Sequence, residues 1–455
     1  MTSTSETITL IGAGLVGPLL ATGLAKRGFE VEIYERRPDM RHVSMSAGRS
    51  INLALSARGI YALTEAGLWD EMRRTTVLMK GRMIHSAAAE LTFQPYGKDD
   101  SEVIYAISRT DLNIALINAA EAQGVKINFQ KRCTGFTLKT GELRLHVEQT
   151  DDDRILVRNI VIGCDGSASA IRDEMLKLNR FSFSQQYLDY GYKELTIPAG
   201  TNGGHVLDPH ALHIWPRGNY MLIALPNVDG TFGCILFLPL EGHDSFAQLS
   251  TRADVADFFR ANFPDAVALM PEFADNFFAN PTGSMVTIKC SPWRAEGRAL
   301  LLGDAAHAIV PFFGQGINCG FEDCTILLKL VDRHGTDWKH IFTEFEKARK
   351  INTDAIADLA LENFVEMRDR VSDPRFLFRK KLELALEARY PRVFVPKYAM
   401  VTFHRVPYAT ALKRGQVQER MLTQLCHGID RVEDLDWHKA DRLIRGELTL
   451  LELPS

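Results

Sequence analysis

Thr7 to Ile11 is a short apolar run rich in β-branched residues, and the glycines of Gly12-Ala13-Gly14-Leu15-Val16-Gly17 follow at once. From Leu15 to Lys26 apolar positions recur at helical spacing, and Val31-Glu32-Ile33-Tyr34 is a second buried-strand pattern. Strand, glycine turn, helix and strand fit within about 30 residues, the context that a dinucleotide-binding fold requires. After Glu35 this rhythm breaks. Arg49 to Gly67 reads as a loop followed by a helix, Arg109 to Gln123 as a helix and Val125 to Phe129 as a strand. Segments 133–138, 143–148 and 154–158 alternate like an antiparallel meander, and Ile160-Val161-Ile162-Gly163 is another buried strand. Between about Tyr192 and Lys289 strand patterns recur at His213 to Trp215, Tyr220 to Leu225 and Phe232 to Leu238, with one helix near Ala253 to Asn262. That block predicts a separate, mostly antiparallel unit. Ala299 to Leu302 rejoins the first unit, and from Gly316 onward the chain is mainly helical.

Composition narrows the class. The 455 residues are 46% hydrophobic, 24% charged and 9% aromatic, which excludes disordered, collagen-like and disulfide-scaffold chains. Single cores stop growing at roughly 250 to 300 residues, so two or three packed units are expected. Lys and Arg number 53 against 57 Asp and Glu, and a net charge of −4 offers no general attraction for nucleic acid or an anionic membrane. The seven cysteines, Cys133, Cys164, Cys234, Cys290, Cys319, Cys324 and Cys426, form no CxxC pair and read as reduced intracellular thiols rather than a disulfide framework or zinc site. The N-terminus lacks a basic segment followed by an apolar stretch, and no apolar run approaches the roughly 20 residues of a membrane span. A cytoplasmic protein is expected.

Three strand ends carry chemistry. In the first, Gly12 permits a tight turn, Gly14 lets a pyrophosphate approach the backbone, and Gly17 lets helix and strand pack closely. Glu35, ending the second strand, is placed to accept hydrogen bonds from ribose hydroxyls and would repel a 2′-phosphate, so this nucleotide is FAD or NAD rather than NADP. In the second, the strand Ala299-Leu300-Leu301-Leu302 ends in Gly303-Asp304, and Gly314-Gln315-Gly316-Ile317-Asn318 then opens a helix. An Asp at such a junction also caps helices, but here the Gly-rich turn adds backbone N–H groups suited to developing negative charge, as on a reduced flavin. The third, Gly163-Cys164-Asp165-Gly166 closing with Arg172, is by itself ordinary turn composition.

Taken in order, Gly12 to Gly17 with Glu35, Cys164-Asp165-Gly166 and Gly303-Asp304 resemble the motifs of the single-component FAD-dependent aromatic hydroxylases. Longer stretches resemble the kynurenine-hydroxylating branch of that family: Gly48 to Leu55, Gly81-Arg82-Met83-Ile84-His85, Pro95-Tyr96-Gly97, Leu212 to Pro216, Val310 to Gly316 and Lys397 to Phe403. The resemblance implies an α/β architecture. It comprises a discontinuous Rossmann-like FAD-binding domain (1–75, 98–180 and 290–335), an inserted, mostly antiparallel β-sheet substrate domain (76–97 and 181–289) and a helical C-terminal region capping the pocket (336–455). Branch members with a membrane anchor carry it after this region, so a form without one is expected.

The resemblance also implies the residues and the reaction. FAD falls to Gly12, Gly14, Val16, Gly17, Glu35, Arg36, Arg37, Ala54, Arg109, Asp165, Asp304, Gly316, Ile317 and Asn318. L-kynurenine falls to Arg82 and Tyr96 for its carboxylate, Asn363 and Glu366 for its head group, and Tyr398. Asn363, Glu366 and Met367 would share one face of a helix running from Thr353 to Met367. Pro311, Phe313 and the strand Leu212 to Pro216 would wall the flavin. NADPH reduces FAD, a flavin 4a-hydroperoxide forms with dioxygen, and its distal oxygen goes to the ring carbon ortho to the aniline nitrogen, a step of tryptophan breakdown. That carbon is already electron-rich, so no general base and no metal is named. A monomer or weak homodimer is expected. The alternative is a related hydroxylase or halogenase acting on another aromatic amino-acid derivative, although Trp215-Pro216 lacks the Trp-x-Trp-x-Ile-Pro signature of the halogenases.

Overall fold

The computed structural model of the chain describes residues 7–42, 52–370 and 373–453. Gly48 to Ile51, part of one matching stretch, lie outside the described residues. The chain divides into two compact units. One comprises Met1–Thr76, Ile107–Tyr187 and Val286–Ala357; the other comprises Val77–Ala106, Leu188–Met285 and Asp358–Ser455. The helices from Asp358 onward group with the sheet of the second unit, so the border between the units falls inside helix Trp338–Val365 rather than near 336.

The first unit is built on a six-stranded sheet in the order Arg294–Ala295, Ala299–Leu301, Ile160–Gly163, Thr7–Ile11, Glu30–Tyr34, Lys126–Asn128. Every pair is parallel except the hairpin at Arg294–Ala295. Its inner strands are almost fully buried, which explains why they read as unbroken apolar runs rather than alternating ones. Thr7–Ile11 lies between Glu30–Tyr34 and Ile160–Gly163, so the chain leaves its first strand where the strand order reverses. Parallel sheets bind ligands at that crevice. Helix Val16–Ala25 packs on helices Arg109–Ala122 and Gly316–His334. The meander appears as Lys131–Thr137, Glu142–Val147 and Asp152–Val157.

The second unit carries a seven-stranded sheet ordered Gly283–Ser291, Ser182–Ile197, Phe232–Pro239, Met221–Pro226, Ala211–Pro216, Gly81–His85, Leu91–Pro95. It is antiparallel over most of its width, but Ala211–Pro216 pairs parallel with Gly81–His85. Two stretches far apart in sequence that carried the family resemblance are thus neighbouring strands. Trp215, Leu236, Phe259 and Phe263 are fully buried in the core between this sheet and helix Arg252–Asn262, each such side chain worth about 1.5–3 kcal/mol of burial. Trp215 also stacks on His85 and donates to Asp265 at 2.7 Å, so it is core rather than flavin wall. Leu382, Leu386, Met421, Leu422 and Ile444 form a second core among the helices Pro374–Arg389, Tyr408–Leu425 and Trp437–Glu447.

Candidate functional site

The first unit presents a cradle at the end of its central strand. Gly12 has φ +102°, and a Cβ there would lie 2.5 Å from the Cys164 carbonyl oxygen. A Cβ on Gly17 would collide with the Gly12 carbonyl, whereas one on Gly14 would meet nothing within 4 Å. Two glycines are therefore required by packing, and the third leaves backbone open to a ligand. Helix Val16–Ala25 begins without a side-chain cap or an acidic first turn, so its leading N–H groups are available to an anion. Asn113, buried in helix Arg109–Ala122, donates to the carbonyls of Ala13 and Gly14 at 3.1 Å each and holds the loop from behind. Sequence reading missed it, and its signal was a polar residue inside an apolar helix face.

Glu35 is buried and accepts from the Ala13 N–H at 2.7 Å and from the Arg37 N–H at 2.8 Å. Burial pushes its pKa up, but the Arg37 guanidinium and these N–H donors outweigh it, and the carboxylate stays below its ordinary range. Arg37 thus clamps Glu35, while Arg36 is exposed. Asp165 accepts from the Ala170 N–H at 2.8 Å through one oxygen, and its other oxygen is buried without a partner among the described residues. Burial raises its pKa.

Gly303 adopts φ +63°, and Asp304 opens the short helix Asp304–His307. The Asp304 side chain reaches solvent yet is walled by protein, so burial raises its pKa while His307 and Arg109 pull it down. An exposed carboxylate in a concave setting at a strand end suits a polyol ligand. Arg109, the first residue of its helix, is brought electrostatically to Asp304. Val16 packs against Gly303 and Gly320, which joins the first and second motifs, and Ala54 lies against Gly314. Gly316 and Ile317 open the uncapped helix Gly316–His334. The Asn318 side chain donates to Ala54 and Gly314 carbonyls at 2.8 Å each and accepts from the Ser56 and Gly59 N–H groups. With all its capacity used inside the protein, only its backbone is left for a cofactor. The open Gly14 backbone, the unpartnered Asp165 oxygen and the accessible Asp304 carboxylate together fit FAD.

The second unit holds a cavity of about 370 Å³, within the range of small-molecule sites, and Arg82, Tyr96, Glu366, Lys380, Glu387 and Tyr398 are among its lining. Arg82 projects from strand Gly81–His85, is 8% exposed, and its Nε has no hydrogen-bond partner among the described residues. Its guanidinium lies 5.2 Å from the Tyr398 ring centre, 5.8 Å from that of Tyr96 and 3.9 Å from the Glu366 carboxylate. Burial opposes its charge, but the two phenols and Glu366 sustain it. Burial also raises both phenols, so they remain hydrogen-bond donors. A buried fork of N–H donors with spare capacity, beside two phenolic O–H groups, matches a carboxylate. Burial alone would neutralise Glu366, yet Lys380, 3.9 Å away, and Arg82 hold it ionised.

The helix expected to run to Met367 ends at Val365, and Glu366–Arg370 is a π turn. The wider turn breaks the shared face: Glu366 lines the cavity, while Asn363 and Met367 are buried and do not. π turns recur at functional sites. Lys380 was missed because nothing in a cationic, amphipathic helix marks one lysine among several.

The chain matches the FAD binding domain family over residues 5–215 and 271–336. It is 53% identical over 445 residues to a kynurenine 3-monooxygenase of Myxococcus xanthus, covering 98% of this chain and 96% of the relative. It is 45% identical to one of Flavobacterium johnsoniae (95% and 96% covered) and 44% to one of Xanthomonas axonopodis pv. citri (98% of each). The chain belongs to the kynurenine 3-monooxygenases. Members of this family are FAD-dependent monooxygenases that use NADPH, and so is this chain. A solved 2-methyl-3-hydroxypyridine-5-carboxylic acid oxygenase shares its fold at TM-score 0.67 and 20% identity, over 86% of this chain and 99% of that one. A Pseudomonas aeruginosa protein solved with 2-aminobenzoylacetate shares it at 0.63 and 18%, over 80% and 98%. Among the described residues no helix is long and apolar enough to cross a membrane.

Proposed function

We propose that this kynurenine 3-monooxygenase family member converts L-kynurenine, NADPH, a proton and dioxygen to 3-hydroxy-L-kynurenine, NADP⁺ and water. The observation that carries the reading is the buried Arg82 guanidinium, with an Nε unpartnered among the described residues, at a cavity that also presents an anionic Glu366. That pair complements the two charges of an α-amino-acid head. In this reading Arg82, Tyr96 and Tyr398 bind the carboxylate and Glu366 the ammonium, and Asn363 is assigned to the head group on the family match alone.

FAD, once reduced by NADPH, supplies the oxygen chemistry. The Gly12 to Gly17 loop, Val16 and Arg109 hold its pyrophosphate. Glu35, with Arg36 and Arg37, would hold the adenosine ribose, Asp304 the ribityl chain, and Ala54, Gly316, Ile317 and the Asn318 backbone the ring, while the segment of Asp165 would serve both FAD and NADPH. The protein's remaining tasks are orientation and exclusion of water, because the ring carbon beside the aniline nitrogen is electron-rich without a strong base. Seven free thiols favour the cytoplasm, and we read the enzyme as a monomer or weak homodimer. The test is NADPH oxidation in the purified holoenzyme with and without kynurenine. Kynurenine-dependent oxidation with stoichiometric 3-hydroxykynurenine is expected; oxidation with no hydroxylated product would overturn the reading.

A further inference from the structure

Behind the Gly303-Asp304 turn lies a buried cluster of charges that no step above uses. One Asp323 oxygen receives both the Gly303 N–H at 3.1 Å and His307 Nε2 at 2.6 Å, and the other receives Arg349 Nε at 2.6 Å. Asp323, His307 and Arg349 are each 3% exposed or less. Glu322 accepts from Arg349 at 2.6 Å and from Arg58 at 2.9 Å, extending the cluster to helix Ala57–Glu65. The turn, helix Gly316–His334 and helix Trp338–Val365 follow one another along the chain, and Arg58 joins them from far away in sequence.

We propose that Asp323 is a positioning residue for FAD, which fixes the Gly303-Asp304 turn by gripping it at both ends and so sets the affinity of the Asp304 half of the site. The inference rests on Asp304 being a FAD ligand. The turn needs such a grip. Gly303 sits in a conformation open only to glycine, and the Asp304 side chain makes no hydrogen bond among the described residues, so no partner of its own aims it. Asp323 holds the N–H just before Asp304 and the imidazole three residues after it. Buried ion groups are often no more stabilising than apolar side chains of the same shape, and what apolar side chains could not supply here is the fixed geometry of the turn. His307 also acts on Asp304 through space, favouring its ionised form, while Asp323 acts in the opposite sense. His307, Cys319 and Asp323 have the composition of a metal site, but Arg349 occupies the second Asp323 oxygen and its guanidinium faces Cys319 Sγ at 3.2 Å, where a cation would be repelled.

The test uses the flavoprotein stripped of FAD and titrated separately with FAD and with ADP, which probes only the Gly12–Glu35 half. Asp304→Asn must first weaken FAD; if it does not, the ribityl assignment fails independently of this proposal. Asp323→Asn is expected to weaken FAD by about 10- to 100-fold, the scale seen when a residue that supports a metal ligand is changed, with ADP affinity unchanged. Combining it with Asp304→Asn should add nothing further, since both changes disable one contact. An equal loss of FAD and ADP affinity, or independent losses in the double variant, would overturn the proposal. Should Asp323→Asn not accumulate as folded protein, His307→Ala and His307→Gln decide. The first leaves the Asp323 oxygen short of a donor and should lose FAD selectively. The second restores an N–H donor and should recover it; failure of that rescue would also overturn the proposal.

Discussion

At the scale of single residues the account turns on charges held in buried places. Arg82→Met should weaken kynurenine binding by about 2–5 kcal/mol, the range for truncating one member of a buried charged pair, while FAD stays bound. Calorimetric titration of the holoenzyme checks it, and an unchanged affinity removes Arg82 from the pocket. Glu366→Gln should weaken kynurenine but leave the affinity of its analogue without the α-amino group intact; equal losses for both would mean that Glu366 shapes the cavity rather than meeting the ammonium. Titration of the buried pair His307–Asp323 follows from its geometry. Burial opposes the His307 charge, but Asp323 raises its pKa well above the ordinary 6.5. Its stabilising contribution is therefore complete below that value and lost as pH rises through the higher folded value. Burial opposes the Asp323 charge as well, but His307 and Arg349 lower its pKa below the ordinary 3.8, so its contribution is present above that value and lost only on further acidification. Melting temperature should fall on the alkaline side more steeply in the wild type than in His307→Gln, and parallel profiles would show that His307 is neutral in the folded protein.

At the scale of elements, the glycine turn separates packing from binding. Gly17→Ala forces a Cβ into the Gly12 carbonyl and should lower the melting temperature, whereas Gly14→Ala has room and should leave it unchanged while weakening FAD. Asn318→Ala strips partners from Ala54, Gly314, Ser56 and Gly59 at once and should cost at least about 1–3 kcal/mol, the penalty for one buried group left unsatisfied. A loss below that in chemical denaturation would mean water replaces the side chain. The strand, turn and helix around Gly12 were legible from periodicity because all their determinants are local. The π turn at Glu366–Arg370 was not, since an α-periodic reading carries Asn363, Glu366 and Met367 around one face and contains no sign of the extra residue.

At the scale of the molecule, each unit is assembled from three separated chain segments, and that explains what sequence reading could reach. Arg82, Tyr96, Glu366 and Tyr398 were assembled by resemblance, and the structure gathers them around one cavity. Asn113 and Lys380 became visible only through contacts between segments, and Asp323 only through contacts between neighbouring elements of one segment, because nothing in their neighbourhoods sets them apart from ordinary helix positions. The helices after Asp358 looked like a separate cap because no strand interrupts them, yet they share a unit with the sheet. The most direct test of the central claim is the fate of oxygen: the holoenzyme is supplied with NADPH, L-kynurenine and isotopically labelled dioxygen, and the product is analysed by mass spectrometry. One labelled atom in 3-hydroxykynurenine for each NADPH consumed is the predicted result. Unlabelled product, or NADPH consumption that proceeds equally without kynurenine, would contradict the account.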